Sequence, residues 1–120
     1  MENELELIKT LQSQTLFAAF KAQLIKDFTD CGCDTAFANN LPQNFNHLIM
    51  CIESELIKNE KRSHFNLQQL LYRIDINEQQ LNLTIKTNIE RAYLTIVSEF
   101  IIKRILQKIV LKKYLSGNEN

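Results

Sequence analysis

The chain has 120 residues with 14 basic and 14 acidic side chains, a formal net charge of zero, which argues against a protein that coats nucleic acid or a membrane by bulk attraction. Hydrophobic content of 45% and charged content of 23% are ordinary for a globular chain, and one domain over 1–120 is large enough to bury roughly two thirds of the surface its unfolded form exposes. Two Gly and one Pro are few, and the turn dipeptides of a β-rich chain are missing. The predicted class is all-α: a single-domain bundle of four to five helices around a long C-terminal helix.

Charge is unevenly placed. Residues 1–60 carry nine acids and four bases, a net of −5, and residues 61–120 carry ten bases and five acids, a net of +5. The expectation is two halves that pack together and complement each other. The acidic start, Met1-Glu2-Asn3-Glu4-Leu5-Glu6, predicts neither a secretory signal nor a transit peptide. No stretch reaches 18 apolar residues, so no membrane span is expected. An odd count of three Cys without a secretory signal predicts reduced thiols and a cytoplasmic location.

In chain order, residues 3 to about 28 read as one helix. Leu7, Ile8, Leu11, Thr15, Ala18, Ala22 and Ile25 recur at helical spacing, with Phe17, Phe20, Leu24 and Phe28 widening the face. Glu2, Glu4 and Glu6 suit its N-terminus. It is expected to stop before Cys31-Gly32-Cys33, and Asn40 with Pro42 predicts the start of the next helix. That second helix carries Phe45, Leu48, Ile49, Ile52 and Leu56 on one stripe and runs to about Asn59. A short third helix covers 65–74. Asp75-Ile76-Asn77 breaks it, and Asn77 with Gln80 predicts a capped fourth segment. Asn88 is read as a fresh cap for the final helix, 88–115, which has no Gly or Pro and from Phe100 to Leu111 is apolar almost all round.

Three patterns carry chemistry. Cys31-x-Cys33 followed by His47-x-x-x-Cys51 holds zinc-type ligands, with His47 and Cys51 one turn apart on a helix. The Cys-x-Cys spacing is not that of a zinc knuckle, and a domain of this size needs no metal staple. The bland reading is two loop thiols and a surface pair, so no metal or other cofactor is expected. Residues 66–86 have the rhythm of a helix-turn-helix. In that reading Gln79, Gln80 and Asn82 face outward to base edges, while Arg73, Lys86 and Arg91 hold phosphates. Asp75 stands where the motif usually has Gly, and a plain helical corner is the simpler expectation. Lys103, Arg104, Lys108, Lys112 and Lys113, interleaved with Ile, Leu and Val, resemble a membrane-surface helix. Apolar residues on opposite sides of that helix favour burial with the cations at its rim.

Catalytic residues are not assembled. A glycine-rich phosphate loop is excluded by two isolated Gly, and a His47/Cys51 dyad has no recognisable oxyanion hole. The leading expectation is a protein-interaction or scaffold module that self-associates as a homodimer, or binds another protein, through Ile101, Ile102, Ile105, Leu106 and Ile109. The alternatives are a DNA-binding regulator through 66–86, and an enzyme or metal protein using Cys31, Cys33, His47 and Cys51. No small-molecule ligand is identifiable from the sequence.

Overall fold

The structure, a computed structural model, describes residues 4–117, with side chains to Leu115. Those residues form six helices: α1 (Glu4–Thr10), α2 (Gln14–Asp30), α3 (Phe45–Glu60), α4 (Leu67–Ile74), α5 (Glu78–Thr87) and α6 (Tyr93–Gly117), with a 3-10 turn at Ala36–Asn40. The fold is the expected all-α bundle around a long C-terminal helix. α6 is the hub, and each of the other helices except α4 makes its largest contact there. Ile96, Val97, Ile101, Ile102, Ile105 and Leu106 are fully buried, and Ile109 nearly so. No helix among the described residues is long and apolar enough to cross a membrane.

The expected first helix is two. Ser13 accepts a hydrogen bond from the Leu16 amide at 3.2 Å and caps α2, because a serine hydroxyl can replace the missing intrahelical acceptor. Gln43 donates to the Leu11 carbonyl at 3.0 Å, satisfying a group that the break frees. This break resets the rotational phase. Phe20, Leu24 and Phe28 become the buried face of α2, while Thr15, Ala18 and Ala22, read from the sequence as inward, are exposed. Two other starts move as well. Asn44, which accepts from the His47 amide at 3.0 Å, caps α3 in place of Asn40. Asn88 donates its side-chain amide to the Thr84 carbonyl at 2.9 Å, so it closes α5 instead of opening α6. Glu2, expected at the helix start, lies outside the described residues.

α2 and α4 end in the same way. Cys33 N–H donates to Phe28 O and Gly32 N–H to Thr29 O, with Gly32 at φ +86°. Ile76 N–H donates to Leu71 O and Asp75 N–H to Tyr72 O, with Asp75 at φ +69°. This is the paired six-to-one and five-to-two closure of a helix on a left-handed residue. Gly adopts that conformation freely, and Asp does so at a cost. Arg104 holds Asp75 there, its Nε donating to the Asp75 carbonyl at 3.0 Å and Nη2 to the carboxylate at 2.9 Å.

The charged halves do meet. Arg73 of α4 pairs with Asp27 at 3.2 Å and with Asp30, both on α2, and Lys103 of α6 reaches Glu4 of α1 at 2.6 Å. Asp27 is only 2% exposed. Its Oδ1 takes bonds from Arg73 and Gln23, while its Oδ2 has no partner. A buried carboxylate stripped of its counter-charge is costly. Arg73→Ala is therefore expected to destabilise by about 2–3 kcal/mol, less than a fully buried pair because the guanidinium is partly exposed. Adding Asp27→Asn to that variant should recover part of the loss, since an amide needs no counter-charge. Chemical denaturation of the two single variants and the double variant measures it, and additive losses would contradict the assignment.

Candidate functional site

The cysteine and histidine candidates do not converge. Among the described residues no group of three or more His, Cys, Asp or Glu side chains is placed to hold a metal ion. Cys31 and Cys33 are buried by the closure of α2, Cys51 is half-buried on α3, and His47 is exposed. Gly32, between the two thiols, packs on the other histidine: a Cβ there would lie 3.0 Å from His64 Cδ2. Burial raises the thiols of Cys31 and Cys51 and pushes Cys33 up to about 11. A metal ligand or nucleophile needs the thiolate, so the environment works against both roles. The Cys-x-Cys spacing is the spacing of a helix stop.

The helix-turn-helix candidates are brought together in shape. α4 and α5 flank the turn Asp75-Ile76-Asn77, and Asn77 caps α5 by accepting from the Gln80 amide at 3.1 Å. Gln79, Gln80, Asn82 and Lys86 are all exposed on α5. The cations are not arranged for phosphate. Arg73 is turned inward to Asp27 and Asp30, and Arg91 pairs with Glu99 at 3.2 Å. Asp75 and Glu78 stand at the start of α5, where a phosphate would need positive charge.

Ile101, Ile102, Ile105, Leu106 and Ile109, expected to face a partner, lie inside one chain; the first four have no exposed surface and Ile109 has 6%. The correction has a simple cause. Splitting the first predicted helix gives α6 one more neighbour, and α1, α2, α3, α4 and α5 together reach round it. Lys103, Arg104 and Lys108 sit half-buried at the rim. Lys103 bonds Glu4 and Glu99, Arg104 bonds Asp75, and Lys108 donates to the Arg73 carbonyl at 3.5 Å. Burial lowers the Lys108 ammonium.

What α6 leaves uncovered is its end. Leu111 is 57% exposed, Tyr114 69% and Leu115 63%, and their i, i+3, i+4 spacing puts them on one face. Phe100, Arg104 and Gln107 precede them on that face at alternating spacings of four and three. These three help line a groove of about 590 Å³ between α6 and the α4–α5 turn, whose other wall includes Ile76, Asn77 and Gln80. The groove and the stripe form one surface along the helix. The other large exposed apolar side chains are spread along the chain: Leu5 on α1, Met50 and Ile57 two turns apart on α3, Tyr72 on α4, Leu83 on α5, Ile89 in the loop and Tyr93 at the start of α6. Sequence reading followed the apolar run only to Leu111; Tyr114 and Leu115 one turn on were the signal it missed.

Comparisons with protein-family models, with curated proteins and with solved structures found no match.

The thiol burial has a consequence in pH. Folding raises Cys33 from its ordinary 9.0 to about 11, so between those values the folded chain holds a proton that the unfolded chain has lost. Stability from this group is complete below about pH 9 and falls as pH rises through 11. Wild-type stability should drop across that window by roughly 1–2 kcal/mol more than that of Cys33→Ala. Denaturation midpoints at several pH values check this, and parallel pH profiles would count against it.

Proposed function

We propose that this chain is a small cytoplasmic protein-interaction module that self-associates through the exposed end of its C-terminal helix. The observation that carries the reading is the stripe of Leu111, Tyr114 and Leu115 on one face of α6. A self-complementary helix face is the simplest route to a two-fold dimer, each copy covering the other's stripe. The three free thiols support a reducing compartment. The reading involves no catalytic step, cofactor or small molecule.

Size sets the strength. Three such side chains expose on the order of 300–400 Å², enough to mark an interaction patch on a monomer. A stable dimer buries about 800 Å² on each partner. Association is therefore weak, with a dissociation constant of about 10–100 µM. Sedimentation across that range should give a mass rising from one chain to two. Leu111→Glu with Leu115→Glu should hold the protein at one chain without unfolding it, because both side chains already face water. Ile105→Glu should instead unfold it, since Ile105 has no exposed surface. A wild-type mass fixed at one chain up to about 1 mM would overturn the reading.

A second reading, contact with duplex DNA through α5, is favoured by the three-residue turn before it, which opens on a left-handed Asp75. Its cations oppose it, because Arg73 and Arg91 already have carboxylate partners. No shift of random duplex DNA is expected even at about 50 mM salt, where phosphate contacts are strongest.

A further inference from the structure

Phe100, Arg104, Gln107, Leu111 and Tyr114 are spaced four, three, four and three along α6, the repeat that keeps one face of a helix against a second helix. The two halves of this face differ in shape. Phe100, Arg104 and Gln107 form one side of the groove of about 590 Å³, and Ile76, Asn77 and Gln80 at the α4–α5 turn stand across it. Leu111, Tyr114 and Leu115 are largely exposed and protrude. One half is therefore a hollow and the other a ridge. They are adjacent on one helix, with about 10 Å from Phe100 to Gln107 and about 6 Å from Leu111 to Leu115.

Resting on the self-association proposed above, we propose that two copies pair with their α6 helices antiparallel, each seating its stripe in the other's groove. Neither groove is filled without the second chain. A two-fold axis level with Ile109 exchanges the halves: Leu111 of each copy lies against Gln107 of the other, and Tyr114 against Arg104. Arg104 is half-buried there, and a guanidinium is a good neighbour for a tyrosine ring. Parallel pairing is disfavoured twice. It sets Arg104 against its own equivalent, like charge to like, and it faces hollow with hollow, leaving both unfilled. Area points the same way. Stripe on stripe covers only the roughly 300–400 Å² of the exposed patch. Adding the groove roughly doubles the covered surface of each copy, toward the about 800 Å² that a stable dimer buries on each partner. The dissociation constant then falls at the tight end of the 10–100 µM range, at about 10 µM.

Two measurements on the full chain test the arrangement. Gln80→Arg changes the groove wall on α5 and leaves α6 untouched. It should weaken self-association at least about tenfold by sedimentation, with circular dichroism matching wild type because Gln80 is exposed. Separately, Leu111→Cys and Gln107→Cys chains are mixed in equal amounts with oxidised glutathione, and peptide mapping assigns the disulfides formed. The bond joining Cys at 111 of one chain to Cys at 107 of the other should exceed either bond between like chains by at least about tenfold. Self-association indifferent to Gln80→Arg, or a dominant bond between two Leu111→Cys chains, would overturn the antiparallel arrangement while leaving self-association standing. A wild-type mass fixed at one chain up to about 1 mM would remove both.

Discussion

The constraint on which the rest of the fold depends is that α6 must be covered on nearly every side. Ile96, Val97, Ile101, Ile102, Ile105 and Leu106 point in directions that together reach most of the way round the helix, and all six are fully buried. Each such side chain contributes about 1.5–3 kcal/mol when removed from water. An exposed ion pair contributes about 0–1 kcal/mol. Hydrophobic cover of α6 therefore decides the arrangement, and the charges adjust to it. One long partner helix could cover only one side. Splitting the N-terminal segment at Leu11-Gln12-Ser13 lets α1 and α2 approach α6 as two bodies, and Leu11 itself becomes fully buried at the joint.

Polar interactions then fix where the helices stop and how they are registered. The left-handed closures at Gly32 and Asp75 turn the chain sharply enough for α3 and α5 to return to α6. The Asp75 closure uses a residue that resists this conformation, and the side chain that holds it, Arg104, comes from α6 itself. Thr95 on α6 donates to Glu53 on α3 at 2.7 Å, a polar pin across the largest helix contact. Arg73, Asp27 and Asp30 join α4 to α2 in a similar way. Each of these pins links segments far apart in sequence. Opposite charges in the two halves serve the packing of the halves on each other.

The sequence made the helices legible where periodicity is long and unbroken. The Leu48, Ile49, Ile52 and Leu56 stripe of α3 and the Asn77 cap of α5 stand as read. The errors share one physical origin: short polar residues can serve either side of a helix boundary. Ser13 looked like a residue within a helix and is a cap; Asn88 looked like a start and is an end. A missed cap also changes phase, which is why Ala18 and Ala22 were placed inward and Phe20, Leu24 and Phe28 were underweighted. The interface residues were misplaced for a related reason. Local pattern reveals that Ile101 and Ile105 want cover, but whether one chain can provide it depends on how many bodies surround them. The cysteine pattern was ambiguous because the same spacing serves two ligands or the two residues flanking a glycine stop.

The exposed apolar stripe lies at the end of the longest helix. At 1.5 Å per residue, the 25 residues of α6 run about 37 Å, whereas the 17 of α2 and the 16 of α3 run about 25 Å each. α6 is therefore about 12 Å, roughly two turns, longer than either. Leu111, Tyr114 and Leu115 carry the apolar pattern on to the last described side chains of α6, where it is exposed. These three continue the Phe100, Arg104 and Gln107 face of α6, so the surface proposed for self-association runs on from the groove beside the α4–α5 turn.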